Sequence, residues 1–396
     1  MNQSQPSPKI LLLLITAGSA MSFAIWLNLL NNFAIDRAAF SGKEIGILQS
    51  LREIPGFLAF TIIYVLLLIR EQKMAYISLI ILGLGTLLTG FFPTALGFYI
   101  TTVIMSVGFH YLETIQNSLS LQWLDKKEAP AFLGKMIAVK SVANILAFTL
   151  VWFLFELFHI DYIWLYVLGG GVSIMIALYS WISFPNFPQK VYQSKKLILR
   201  KRYWLFYALQ FMGGARRQIF VVFAGFLMVE KFGFSVGEIS ILFLINASLN
   251  IFLAPRIGKL IGLIGERRTL IFEYIGLILI FSGYAMVESS AFAIFLYIID
   301  HLFFAMAIAQ KTYFQKIANP ADIASTAGVS FTINHIAAVV IPVIFGTLWI
   351  QSPALVFIMG AIMATISLIL SINVPENPKA GNEVLLGRST YCASEN

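Results

Sequence analysis

One cysteine, Cys392, stands among 396 residues. A single thiol excludes an internal disulfide framework and any metal site built on cysteines. Charge is scarce too: Asp, Glu, Lys and Arg make up 12% of the chain, whereas globular domains carry about 25%. The chain has only 4 histidines, and neither His-Glu-x-x-His nor any other metal-spaced pair occurs among them. That leaves no zinc-hydrolase motif, and without a phosphate-binding Gly-x-x-x-x-Gly-Lys loop direct coupling to ATP is disfavoured as well. No cofactor is implied. What is abundant is apolar: 59% of the residues are hydrophobic, 35 of them Phe. This balance describes a protein whose solvent is the bilayer.

The apolar residues gather into twelve runs, at 10–31, 45–69, 74–92, 96–121, 132–157, 162–184, 203–229, 236–262, 269–287, 291–314, 323–350 and 354–374. Each is long enough to cross a core of roughly 30 Å as a helix rising 1.5 Å per residue. The first run is longer than the apolar core of a secretion signal and has no small-residue cleavage site, so it is expected to span. Breaks fall at turn-rich or charged points such as FFPT, HID, EKFGFS, ANPAD and QSP. Basic residues sort between alternate loops. Arg70, Lys73, Lys126, Lys127, Lys259, Arg267, Arg268 and Lys316 lie on one side, with Lys190, Lys195, Lys196, Arg200, Lys201 and Arg202 in the long 185–202 loop. The other side has only Arg37, Lys43 and Lys231. The positive-inside rule then predicts a multi-pass protein of the inner (cytoplasmic) membrane with both termini and the 185–202 loop in the cytoplasm. The net charge of +8 is accounted for by topology, and no nucleic-acid partner is expected.

The chain also repeats itself. FSGKEIGIL (40–48) aligns with FSVGEISIL (234–242), and the same offset of 194 residues places Gln116 on Gln310 and Gly134 on Gly328. The expected organisation is therefore a six-helix half (1–184), a cytoplasmic linker (185–202), a second six-helix half (203–374) and a cytoplasmic tail (375–396). Between the eighth and ninth runs stands PRIGKLIGLIGERR (255–268), where Gly258, Gly265, Arg267 and Arg268 match the cytoplasmic gating-loop signature of the major facilitator superfamily (MFS). Gly262 occupies the signature's aspartate position, and the equivalent first-half loop, LLLIREQKM, keeps only Lys73. With the twelve runs, the repeat and the basic central loop, the chain resembles that superfamily over nearly its whole length. The resemblance implies an all-α membrane protein of twelve transmembrane helices in two pseudo-symmetric halves, working as a monomer by alternating access around a midplane site. Subfamily patterns are missing: the fifth run, MIAVKSVANILAFTLVWFLF, lacks the glycines and proline of drug/proton antiporters, and sugar-porter signatures are absent.

The resemblance places the third, sixth, ninth and twelfth helices against lipid. Three of these carry no charge, and the ninth has only Glu273, near its cytoplasmic end. Deep charges fall elsewhere, on helices expected around a cavity, as the cost of intramembrane charge requires. Candidate substrate-binding residues are Arg52, Lys140, Arg216, Arg217, Asn334 and His335, and candidate proton-coupling residues are Glu53, His110, Glu113, Asp300 and His301. His110 and Glu113, three apart, share a helical face, where an imidazole beside a carboxylate forms either a proton relay or an inert hydrogen-bonded pair. Arg52 and Glu53 serve either a gate or the substrate. Arg216 and Arg217, about 100° apart on their helix, either grip a carboxylate or phosphate or act as counter-ions. His335 follows either a structural or a binding role. Four deep cations, Arg52, Lys140, Arg216 and Arg217, outnumber the acids Glu53, Glu113 and Asp300 by one. The predicted function is thus a proton-coupled secondary transporter of a small organic anion, a carboxylate or phosphorylated metabolite. An exporter of drug-like or amphipathic compounds is the alternative, and an enzyme is not expected, since the charges spread around mid-depth instead of clustering with nucleophiles at one face.

Overall fold

The structure, a computed structural model, describes residues 7–123, 129–188, 199–319 and 323–386. Lys126, Lys127, most of the expected linker (189–198) and the tail beyond 386 with Cys392 lie outside the described residues. The described chain is helical, with a single isolated bridge between Lys379 and Asn382. Eleven of its helices are long and apolar enough to cross a membrane. The twelfth crossing is the second run, which the sequence suggested was continuous over 45–69. It is instead broken into a helix Gly42–Phe57, a 3-10 turn Ala59–Thr61 and a short helix Ile62–Val65. Pro55 lies inside the first piece and lacks the N–H that an unbroken ladder needs. The Leu58 amide then turns back to the Ile54 and Gly56 carbonyls, closing the helix.

The internal repeat has a structural counterpart at two helix starts. At Ser41 the side chain accepts from the Lys43 amide while Glu44 reaches back to the Ser41 amide at 3.0 Å. At Ser235, which begins the eighth helix (Val236–Ile264), the Ser235 hydroxyl accepts from the Glu238 amide at 3.2 Å and Glu238 accepts from the Ser235 amide at 2.8 Å. The FS-x-x-E pattern is a capping box in both places, satisfying two otherwise orphaned amides at each.

The chain divides into two compact units. One comprises Met1–Gln193 with Val229–Ala247, the other Ser194–Met228 with Ser248–Asn396. In the first unit the first helix (Pro8–Asp36) packs on the fifth (Ala129–Trp152) and sixth (Tyr162–Ser183), and the third (Glu71–Thr89) on the fourth (Ala95–Trp123) and sixth. In the second, the seventh (Trp204–Gln218) packs on the eleventh (Ile323–Gln351) and twelfth (Pro353–Ile372), and the ninth (Glu266–Ala285) on the twelfth. Lipid supplies no hydrophobic drive between such helices, so close backbone approach has to supply the contact. At Gly83 a Cβ would come within 2.6 Å of the Gly170 carbonyl oxygen, so the third and sixth helices touch through two glycines.

The segment 229–247 belongs to the first unit through polar contacts as well as packing. Asn28 Nδ2 donates to Ser240 Oγ at 2.7 Å, and Asn32 Nδ2 to the Phe234 carbonyl at 2.6 Å. A π-helical turn, Phe153–Leu157, ends the fifth crossing and presents Glu156, whose Oε1 accepts from Ser235 Oγ and from the Gly237 amide, both at 3.1 Å. A second π-helical stretch, Ile219–Ala224, interrupts the seventh crossing just after the arginine pair.

Candidate functional site

The first unit contains a cavity of about 480 Å³ between its first, fourth and fifth helices. Helical spacing builds its walls. Thr16, Ser19 and Phe23 recur at three- and four-residue intervals on the first helix, Glu113, Gln116 and Asn117 do so on the fourth, and Lys140 and Asn144 on the fifth. Glu113 and Lys140 are both exposed to it, with the Glu113 side chain 46% accessible. Lys140 forms no ion pair among the described residues, so its ammonium is available to an incoming group. Gln116 donates to Thr16 Oγ1, which fixes one amide in the wall. Phe23 and Phe109 stack at 4.5 Å and give the cavity a flat apolar side. The cavity thus combines volume, a cation, an acid, several amides and an aromatic face, the chemistry that small-molecule sites use.

His110 is buried, and its Nδ1 lies 3.9 Å from Glu113 Oε2. The i, i+3 spacing thus leads from a shielded imidazole to a carboxylate at the cavity wall. Arg52 and Glu53, both buried, pair with each other. Ser106 donates to the Arg52 carbonyl.

In the second unit Arg216 and Arg217 separate as adjacent helical residues must: Arg216 is buried and Arg217 exposed. Arg216 donates to Glu273 Oε1 at 3.0 Å, and its guanidinium lies 4.8 Å from the centre of the Tyr274 ring. Tyr274 Oη in turn accepts from Gln310 Nε2 at 2.7 Å. Asp300 is buried beside this group, and Arg216, Arg217, Glu273 and Asp300 line one small void of about 10 Å³. His301 is half-buried with its ring against Phe220 and Tyr297. Asn334 donates to Gln210 Oε1 at 3.2 Å, and its neighbour His335 is buried. In the 255–268 segment, Gly258 lies within the eighth helix, and Gly265, at φ +83°, ends that helix and opens the ninth. The buried Glu266 carboxylate takes Lys316 Nζ at 2.7 Å, tying the loop to the end of the tenth crossing (Ser290–Ile317). Arg267 is half-buried and Arg268 exposed.

Sequence reasoning set Glu273 aside as a charge near a helix end on a lipid-facing helix, yet it is 1% exposed and holds Arg216. It also passed over Gln116 and Asn117 as site residues, although their three- and four-residue spacing from Glu113 marks the same face.

A family model described as Major Facilitator Superfamily matches residues 10–342. Among solved structures, a mutant form of the nucleoside transporter NupG matches with a TM-score of 0.77 at 17% identity, over 92% of this chain and 99% of its own. A bacterial homolog of the human lysosomal transporter Spinster, in an inward-facing and occupied conformation, matches with a TM-score of 0.69 at 14% identity, over 92% of this chain and 95% of its own. None of the curated proteins compared matches the chain.

Proposed function

Because the chain belongs to the Major Facilitator Superfamily, we propose that it is a secondary active transporter that moves a small organic anion, coupled to protons, by alternating access. One observation carries this reading: Glu113 and Lys140 line the same cavity. The surplus of deep cations does not carry it, because Arg52 is neutralised by Glu53 and Arg216 by Glu273, so neither counts toward an anion. In the cavity one acid faces one base. With Glu113 ionised the pair is balanced and a bound anion would face a carboxylate. With Glu113 protonated the cavity carries the Lys140 charge alone and accepts a carboxylate or phosphate. A proton on Glu113 and an anion on Lys140 therefore favour each other, the reciprocity that thermodynamic coupling requires. In this reading His110, 3.9 Å from Glu113, passes that proton through a closer approach of the two side chains. The amides of Gln116, Asn117 and Asn144 supply the remaining hydrogen bonds, and the Phe23–Phe109 stack seats an apolar or planar part of the substrate.

NupG is a nucleoside transporter, and planar bases with few charges would also suit this aromatic and amide wall. The charge pair favours the anion. We further propose that the protein works as a monomer, as the family does by default, in the inner membrane with both termini cytoplasmic, the loop distribution of Lys and Arg supporting the last point.

The test is uptake of a panel of radiolabelled carboxylates, sugar phosphates and nucleosides into proteoliposomes, with and without an inward acid gradient. Stimulation of an anion by the gradient is expected, with Lys140→Ala reducing its uptake at least tenfold and Glu113→Gln leaving uptake that ignores the gradient. Uptake of nucleosides alone, unaffected by Lys140→Ala, would overturn the anion reading.

A further inference from the structure

The void between the seventh, ninth and tenth helices is not used by the cavity in the first unit, and its chemistry is unbalanced. Arg216, Glu273 and Asp300 are 7%, 1% and 2% exposed. One buried guanidinium therefore faces two buried carboxylates. Arg217, the other cation at the void, is exposed and forms no ion pair among the described residues. Each of the three buried groups also presents an atom without a hydrogen-bond partner among the described residues: Arg216 Nη1, Glu273 Oε2 and Asp300 Oδ2. A carboxylate kept out of water without compensation neutralises instead of remaining ionised. Two carboxyls that share one site hold one proton between them by the same logic.

We propose that this cluster is a second proton-binding site of the carrier, in which Glu273 and Asp300 share a single proton beside Arg216. The proton converts one orphaned acceptor into a donor, so that a water-sized bridge in the 10 Å³ void satisfies all three atoms. It accepts from Arg216 Nη1 and from the protonated carboxyl, and donates to the ionised one. No third carboxylate lines the void among the described residues. The seventh helix contributes the two arginines, and the ninth adds Tyr274, held by Gln310, and Tyr284. The tenth adds Tyr297 and His301, whose rings pack together. The eleventh, packed on the seventh, has His335 as its one titratable residue, and the twelfth has none. The internal repeat sharpens the point. At the 194-residue offset Arg216, Glu273 and Asp300 correspond to Ser22, Leu79 and Ser106, so the cluster is a property of the second half alone.

The site rests on the proton-coupled reading for its use, but its existence can be tested without any substrate. Infrared spectra of the purified protein in lipid bilayers at neutral pH should show the carbonyl stretch of a protonated carboxyl, displaced in D2O. Glu273→Gln and Asp300→Asn should each remove one such group per chain, because either leaves a single carboxylate for a single guanidinium. Arg216→Gln should add one. No protonated carboxyl in the wild type, or loss of the signal in only one of the two acid variants, would overturn the shared proton. Should one acid variant fail to fold, Glu273→Asp or Asp300→Glu at that position, which keeps the carboxyl, should retain the signal and shift its frequency, and an unshifted band would overturn the sharing. Transport plays no part in the readout, so failure of the anion reading and failure of this site are separate results.

Discussion

Arg216 shows what a single residue can and cannot declare. That a deep arginine needs company follows from the cost of intramembrane charge, and the sequence made this legible. Which residue provides the company did not follow. Glu273 lies 57 positions away on a helix that otherwise reads as lipid-facing, and only packing brings the two within 3.0 Å. The same limit applies to Arg52 and Glu53, read as deep charges of a gate or a substrate site, whose pairing with each other came only with the structure. Removing one member of a buried pair strands the other. Arg216→Leu is therefore expected to destabilise by about 3–5 kcal/mol, read as a lowered melting temperature in detergent. Replacing both Arg216 and Glu273 with Leu should restore most of the loss, because the one acid left in the cluster, Asp300, is neutralised by taking up a proton and apolar replacement of a buried pair is often neutral. Equal losses in the single and double variants would mean that the pair is not what holds the seventh and ninth helices.

Among the elements, the membrane helices were the most legible part, since run length and hydropathy alone place a span. The breaks were less so. Pro55 was visible, but the closing of the second helix at Phe57 depends on where the Leu58 amide finds its acceptors. The π-helical turns at 153–157 and 219–224 have no composition signal at all; each adds a residue to a turn, a distortion that concentrates at functional positions. Helix contact was likewise hidden in individual glycines. Gly83→Leu would drive a side chain into the Gly170 carbonyl and Ser173 Oγ. The third and sixth helices should then separate, costing on the order of 1–3 kcal/mol, the usual range for overpacking. Cysteine crosslinking between these helices, compared in the variant and the parent, measures it. The repeated FS-x-x-E stretch becomes a capping box in both places. Ser41→Ala or Ser235→Ala should each cost about 1 kcal/mol, seen as fraying of the following helix in hydrogen exchange.

For the whole molecule, the repeat predicted two halves divided at the 185–202 loop, and the compact units observed are drawn differently, because Val229–Ala247 packs with the first. An alignment registers which residues are equivalent but not which neighbours they choose. Asn28, Asn32 and Glu156 make that choice through four hydrogen bonds. It can be tested by severing the chain. Fragments 1–193 and 194–396, expressed together, are expected to co-purify on a tag carried by either one, and Asn28→Leu with Asn32→Leu to reduce recovery. Two buried hydrogen bonds contribute about 1–3 kcal/mol in total, enough for a several-fold effect. Quantitative recovery of the variant pair would show that apolar packing alone joins them.

The same allegiance has a consequence for biosynthesis. Domains generally fold as units while the chain is still emerging, the N-terminal one first. Here the N-terminal unit cannot be completed when its own six crossings have entered the bilayer, because its last piece arrives with residues 229–247. Until then Asn28, Asn32 and Glu156 wait without the groups that satisfy them. The nascent protein must therefore pass through a stage at which half of it is inserted yet unfinished, and a ribosome stalled before residue 247 would leave an intermediate for quality control to recognise rather than a finished domain.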